Sequence, residues 1–320
     1  MKAAIRNKYG SPEVLAVKEV AMPEVKDNEL LIKMHAATVN RTDCGILKAR
    51  PFLIRFATGL LRPKFPGTGT DFAGVVEDIG AKVKNFKIGD RVWGFNDMRP
   101  GTHAEYCTIA EDSPVLIIPE NISYEEAAAS PEGAHYAYNV LNKVQLNKGD
   151  HVLVNGATGA IGSAAVQLLK LYSVNITAVC DTKNIELVKS LGAHEVIDYL
   201  KEDFTKGSKK YNLIIDAVGK SCFVKCKHLL NEDGIYISSE LGPGFENLYL
   251  PFITKIKGGK RVIFPIPFNI KRSLLLIRDL LVSSEFKPVI DRIFSLDEIT
   301  EAFTYVDSGQ KTGNVLIRFN

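Results

Sequence analysis

The residues best suited to chemistry lie between Val152 and Gln167. An apolar run, Val152-Leu-Val-Asn155, meets Gly156-Ala157-Thr158-Gly159-Ala160-Ile161-Gly162, and Ser163-Ala-Ala-Val-Gln167 follows. Small residues stand at 156, 157, 159, 160 and 162. Glycine at 159 lets a pyrophosphate approach the main chain, and glycine at 162 lets a helix pack close on the preceding strand. The amides of the helix N-terminus then face the phosphates. A mere tight turn does not explain five small residues together. Gly156, Ala157, Thr158, Gly159, Ala160, Ile161 and Gly162 are therefore read as a dinucleotide-binding loop.

The next strand-like run ends at Cys180-Asp181-Thr182-Lys183-Asn184. Asp181 stands where an acidic side chain accepts the adenosine ribose hydroxyls and repels a 2′-phosphate, which favours NAD(H). Thr182, Lys183 and Asn184 could instead hold that phosphate between them. Asp181 could also serve only as N-cap to a helix from Ile185. These residues leave the cofactor choice open.

The elements that must position the loop follow from periodicity. In the first third, Leu30–Met34, Gly74–Ile79, Arg91–Phe95 and Ala104–Ile109 read as short strands separated by Gly and Asp turns. Ser123, with Glu126 three residues on, is a capping-box pattern ahead of an Ala-rich helix. Strand and helix then alternate. Strands are expected at 151–155, 175–180, 195–198, 213–217, 235–239 and 261–265, and helices at 161–172, 185–191, 222–230 and 270–282. Such βαβ units with apolar strands give a parallel sheet covered on both faces. From Lys287 short strands return around a helix at 296–306. The expected fold class is α/β, with a doubly wound domain at 123–284 inserted in a β-rich domain made of 1–122 and 285–320.

Composition narrows the function. The chain has 320 residues, 46% hydrophobic and 24% charged, with a formal charge of +3. That balance excludes an electrostatically driven nucleic-acid binder. No apolar run approaches the ~20 residues of a membrane span, and Met1–Arg6 reads as a first strand rather than a leader. The five cysteines (Cys44, Cys107, Cys180, Cys222, Cys226) are odd in number and scattered, which fits a reducing cytoplasm without disulfides. Cys222 and Cys226 lie four apart on an expected helix, but no further ligand completes a set, so they are read as helix-surface residues. The six histidines show no metal-ligand spacing.

Several further segments carry a resemblance. They are Ala36-Ala-Thr-Val-Asn40-Arg-Thr-Asp43, Gly69-Thr-Asp71-Phe-Ala-Gly, Phe86-Lys-Ile-Gly-Asp-Arg-Val-Trp-Gly94, Gly101-Thr-His-Ala-Glu-Tyr106, Leu191-Gly-Ala-His-Glu-Val-Ile-Asp-Tyr199 and Asp216-Ala-Val-Gly219. Together with the glycine loop, their order and spacing resemble the medium-chain dehydrogenase/reductase superfamily, in its zinc-less, quinone oxidoreductase-like branch. The resemblance covers nearly the whole chain and implies a GroES-like catalytic domain around a Rossmann domain. Zinc-dependent members of that superfamily ligate a catalytic metal with a Cys, a His-Glu pair and a further Cys. Here Asn40, Thr70-Asp71 and the Pro131-Glu132-Gly133 segment occupy those places, and Cys44 is out of register, so no zinc is expected.

Without a metal to stabilise an alkoxide, the easier direction is hydride delivery to an electron-poor quinone, enal or enone. The resemblance implies NADPH as cofactor, with NADH the alternative because of Asp181. It places Asn40 beside the nicotinamide, its amide orienting a ribose hydroxyl or a substrate carbonyl; a buried Asn satisfying a turn is the plainer reading. Tyr136 is a candidate proton donor or pocket wall, with helix packing as the alternative. Tyr199 is placed against the adenosine phosphate. Val218, Ser239 and Phe264, at the ends of later strands, are candidates for nicotinamide-side contacts. Pro51–Phe56 and Gly59–Arg62 read as an apolar lid and Phe245–Gly259 as a second wall, which implies a large apolar electron acceptor. Lys260–Phe264 is the edge strand through which a homodimer is expected. The rival functions are alcohol or aldehyde oxidation and cofactor binding with little turnover.

Overall fold

Alternating apolar strands and helices sort the chain into two units. The structure, a computed structural model, describes residues 1–96 and 100–319. One unit comprises Met1–Glu132 with Ile270–Asn320 and the other Gly133–Asn269.

The terminal unit contains β1 (Lys2–Ile5), β2 (Ala16–Glu19), β3 (Glu29–Val39), α1 (Arg41–Lys48), α2 (Arg55–Thr58), β4 (Asp71–Ile79), β5 (Arg91–Phe95), β6 (Tyr106–Ala110), β7 (Val115–Ile117) and α3 (Tyr124–Ala128). Helix α4 (Pro131–Leu141) follows and from Gly133 onward belongs to the inserted unit. Strands β1 and β2 form an antiparallel hairpin. After the inserted residues come α9 (Ile270–Val282), β14 (Ile290–Ser295), α10 (Ile299–Asp307) and β15 (Asn314–Arg318). The main sheet runs β14-β15-β3-β4-β5-β7, with β6 also paired to β3. Its core gathers Leu30, Ile32, Met34, Phe72, Val76, Val92 and Ile317. Ile299, Ala302, Phe303 and Val306, spaced at one helical face of α10, are buried against it. Each of the larger ones contributes about 1.5–3 kcal/mol by leaving water. The sequence reading put 123–132 and 270–284 in the inserted domain. In the structure α3 packs on β3 and β4, and α9 on β7, so both go with the terminal unit.

The inserted unit contains β8 (His151–Asn155), α5 (Ala160–Leu169), β9 (Asn175–Cys180), α6 (Ile185–Leu191), β10 (Glu195–Asp198), β11 (Tyr211–Asp216), α7 (Phe223–Cys226), β12 (Leu230–Ser238), α8 (Glu246–Lys257) and β13 (Arg261–Ile263). Its sheet is parallel throughout, in the order β10-β9-β8-β11-β12-β13. The order reverses direction between β8 and β11, which makes that point the topological switch of a doubly wound sheet. The expected α/β class and parallel sheet are present. One local reading fails: Cys226 is fully buried in this unit's core rather than on a helix surface, because α7 is a single turn that docks on β12.

Candidate active site

In the inserted unit the loops that follow β8, β9, β10, β11, β12 and β13 leave the same edge, because all six strands are parallel. Gly156, Asp181, Tyr199, Val218, Ser239 and Phe264 sit in those six loops, one in each. The three glycines after β8 do different work. Gly156 turns the chain at φ +77°, with Val218 against it: a Cβ there would lie 2.8 Å from the Val218 Cβ. A Cβ on Gly162 would lie 2.1 Å from the Gly156 oxygen, so this glycine sets how closely α5 meets the strand. A Cβ on Gly159 would find only the Gly156 oxygen, at 3.7 Å. Gly159 is the N-cap of α5 and brings no side chain to cap it. No side chain therefore caps the first-turn amides of this ten-residue helix. Thr158, Ala160 and Ile161 are half-buried, and Ala157 is fully buried, its amide donating to Val179 O at 3.1 Å.

The Asp181 side chain is held rather than loose. It accepts from Asn184 Nδ2 at 2.6 Å, and Lys183 Nζ stands 3.8 Å away. Its carboxylate makes no cap bond to the following helical turn. The Thr182 hydroxyl donates to Asp198 Oδ2 at 2.5 Å, so one arm of the expected phosphate grip is already engaged, and Lys183 is left as its charged member. Tyr199 is half-exposed, and its amide ties to Cys180 O at 3.0 Å.

Asp216, at the end of β11, is a residue whose role the sequence reading missed. Fully buried, it accepts from Asn155 Nδ2 (3.0 Å), the Gly219 and Ser221 amides (2.9 and 3.0 Å) and Tyr236 Oη (3.0 Å). This knot joins the ends of β8, β11 and β12 beside the switch point, and Ser239 hangs from it through its amide to Asp216 O (3.1 Å). Gly133 was missed as well. A Cβ on it would lie 2.8 Å from Ala160 O, so it lets α4 approach the start of α5.

The terminal unit holds a buried polar cluster. Asn40 caps α1, and its main-chain amide donates to Asp43 Oδ2 at 2.8 Å. Its Nδ2 faces three acceptors: Thr38 Oγ1 (2.8 Å), Asp71 Oδ2 (2.9 Å) and Glu132 Oε2 (3.0 Å). Thr38 Oγ1 donates to Asp71 (2.7 Å), and Thr42 and Thr70 donate to Glu132 (2.5 and 3.3 Å). β3 and β4 pair Ala37 with Phe72, which brings Thr38 and Asp71 level at the sheet end. Behind them His103 Nε2 bonds Thr38 O at 2.8 Å, with Nδ1 on the Thr68 hydroxyl at 2.9 Å.

Burial pushes the Asp43 and Asp71 carboxyls well above their usual range, and the charge of Glu132 adds to it. Burial raises Glu132 too. Lys311, whose ammonium donates to Gly313 O, is drawn down to about 8 by the same burial. Burial and the mutual repulsion of the carboxyls both oppose three negative charges standing together here. Because the two Nδ2 hydrogens point at carboxylates, Asn40 offers a ligand only Oδ1, an acceptor. The expectation that its amide could orient a substrate carbonyl therefore fails, and the ribose-hydroxyl half remains.

The two expected catalytic residues belong to different units. Asn40 lies in the terminal one and Tyr136, half-buried on α4 with its ring 5.7 Å from that of His135, in the inserted one. A dinucleotide fits the β8–α5 turn on chemistry: open amides, no side chain in the way, and loops converging on one strand edge. Zinc does not fit the Asn40 cluster. Its groups are an amide, hydroxyls and carboxylates already bonded to one another, and an N–H stands where a metal needs a lone pair. Among the described residues no group of three His, Cys, Asp or Glu converges elsewhere.

Residues 26–120 match the family model of the alcohol dehydrogenase GroES-like domain, and residues 191–317 that of the zinc-binding dehydrogenases. Over 99% of its length the chain is 35% identical to a 2-methylene-furan-3-one reductase of Solanum lycopersicum, covering 79% of that protein. It is 30% identical, over 99% of its length and 79% of the relative's, to an NADPH-dependent alkenal/one oxidoreductase of Arabidopsis thaliana, a chloroplastic protein. A solved quinone oxidoreductase from Coxiella burnetii superposes over 100% of this chain and 99% of its own, with TM-score 0.89 and 29% identity.

Proposed function

The chain belongs to the medium-chain dehydrogenase/reductase superfamily, in its quinone oxidoreductase-like branch, and on that premise we propose that it reduces quinones or α,β-unsaturated carbonyls with NAD(P)H and without zinc. The observation that carries this reading is the β8–α5 turn, closed by Gly162 and open at Gly159. In it the inserted unit is the dinucleotide domain and the terminal unit the catalytic one. Bound NAD(P)H supplies the hydride.

The protein's own residues bind and orient. The α5 amides hold the pyrophosphate, and Val218, Ser239 and Phe264 line the nicotinamide end. Tyr199 lies by the adenosine phosphate. Asn40 Oδ1 accepts from a ribose hydroxyl, held still by two carboxyls behind it. Tyr136 bounds the acceptor pocket or donates the proton that follows hydride. Lys183 favours NADPH by pairing with its 2′-phosphate, and Asp181 opposes it, so the preference is modest.

The acceptor is apolar. Phe52, Phe56, Leu60 and Leu61 are exposed around α2 in the terminal unit, and Phe252 and Ile256 on α8 in the inserted one, apolar surface that supports this reading. Strand β13 is at a sheet edge and α8 packs beside it, the basis for a homodimer joined edge to edge. All five cysteines are free, which suits a reducing cytoplasm. Among the described residues no helix is long and apolar enough to cross a membrane.

Cofactor oxidation measured with an ortho-quinone and a 2-alkenal, with and without a chelator, tests the reading. Turnover that a chelator leaves unchanged is the expected result. Chelator-sensitive alcohol oxidation would replace it with a zinc dehydrogenase, and tight cofactor binding with no turnover would replace it with a binding protein.

A further inference from the structure

We propose that the end of β1 builds an anion site for a small organic phosphate, centred on Arg6 and sharing no residue with the dinucleotide loop or the Asn40 cluster. The Arg6 main chain is fixed at the end of β1, its amide on Pro66 O at 3.0 Å. Its side chain turns inward and the residue is only 2% exposed. Nη1 donates to Ile46 O, in the last turn of α1, at 2.6 Å. The guanidinium carbon sits 5.3 Å from the Tyr9 ring centroid. A helix C-terminus and a ring face each offset part of a positive charge. Nε is buried with no partner, and the buried Asp43 carboxyl acts on the guanidinium through its charge without forming an ion pair among the described residues. A buried guanidinium with no carboxylate in ion-pair contact is costly, and a bound anion would offset that cost. Burial accordingly draws its pKa down.

The surroundings say what would supply it. Arg6 lines a cleft of about 450 Å³ together with exposed Lys8, Lys18 and Arg62, and Glu13 is the one carboxylate in the lining. Four cations against one carboxylate match an anion of more than one charge, and Arg with Lys side chains in one cleft match phosphate. The cleft exceeds the size of a bare phosphate, and Ile5 and Val14 give it an apolar wall for an organic remainder.

Calorimetry on the full chain, with inorganic phosphate and phenyl phosphate as probes, tests this. It is done in the wild type and in Gly159→Val, where the dinucleotide loop is blocked. One phosphate should bind per chain in both backgrounds, phenyl phosphate more tightly than inorganic phosphate. Lys18→Glu combined with Arg62→Glu, both on the surface, should weaken binding at least about tenfold. Arg6→Met should remove it; if that variant does not fold, the surface pair decides alone. The site is overturned if neither probe binds up to about 10 mM, if the surface pair leaves the affinity unchanged, or if binding vanishes in Gly159→Val. Tighter binding of inorganic phosphate would overturn the organic ligand.

Discussion

The turn after β8 and the cluster around Asn40 are built on opposite principles. In the turn, side chains are kept out: glycine at 159 leaves helix amides open, and the nearest atom to a Cβ there is 3.7 Å away. In the cluster, side chains crowd in: six residues hydrogen-bond one another at 0–5% exposure apart from half-buried Thr42. A site made of main chain tolerates much at its margins and nothing at the one point where the ligand must approach. A site made of buried carboxyls depends on every partner, because each loss strands a polar group away from water.

Substitution at single positions separates the two. Gly159→Val should abolish dinucleotide binding in a cofactor titration while the thermal transition stays within about 1 °C of wild type, since the added atoms enter open space. Normal binding would break the assignment of the loop. Gly162→Val should instead destabilise the inserted unit by about 3 kcal/mol or more, because its Cβ meets a carbonyl oxygen at 2.1 Å. In the cluster, Asn40→Asp replaces the donor that links Asp71 and Glu132 with a further carboxyl. Urea unfolding should report a loss of about 3–5 kcal/mol, and an unchanged midpoint would show that these carboxyls are not held by Nδ2.

The same contrast explains what could be read in advance. The glycine loop is local: strand, small residues and helix lie within sixteen positions, and sterics alone dictate them. The parallel sheet was legible for the same reason, since apolar runs of five or six residues alternate with helical spacing. The cluster is not local. Asn40 and Glu132 are 92 residues apart, and Thr38 meets Asp71 only through the β3–β4 register. Nothing in the spacing announces that Asn40 aims its hydrogens at two acids. Asp216 escaped for a related reason: a carboxylate closing a strand looks like a turn residue until five donors from three segments converge on it. Unit boundaries slipped because α3 and α9 have helical signatures like those of the inserted helices, and only their packing on β3, β4 and β7 assigns them.

Acid should act unevenly on the two regions. Burial lowers His103 in the terminal unit and His135 in the inserted one from 6.5 to about 4. A depressed histidine pKa means the unfolded chain takes up the proton first. The stability each contributes is complete above pH 6.5 and falls progressively down to about pH 4, by at most about 3 kcal/mol each. Asp43, Asp71 and Glu132 have raised values, so their burial is least unfavourable when protonated, and acid relieves it. These opposing terms meet only in the terminal unit. Between pH 7 and pH 5, amide protection factors, corrected for the slower intrinsic exchange in acid, should therefore fall more in β8, β11 and β12 than in β3 and β4. Equal loss of protection, or the reverse order, would show that the carboxyl cluster is charged at neutral pH.

The finest distinction lies inside the inserted unit, between an open main-chain site and the side chain at its margin. Asp181 is anchored by Asn184 and stands 3.8 Å from Lys183, whose ammonium is mostly exposed and free to turn to a phosphate. Replacing the carboxylate by a hydroxyl removes the repulsion toward a 2′-phosphate and leaves the α5 amides untouched. Asp181→Ser should thus raise the NADPH-to-NADH ratio of kcat/KM about tenfold, roughly 1.4 kcal/mol, with the change in KM rather than kcat. Lys183→Ala should move the ratio the other way. If both ratios stay where they are, the adenosine end of the cofactor lies elsewhere, and Asp181 serves its own turn.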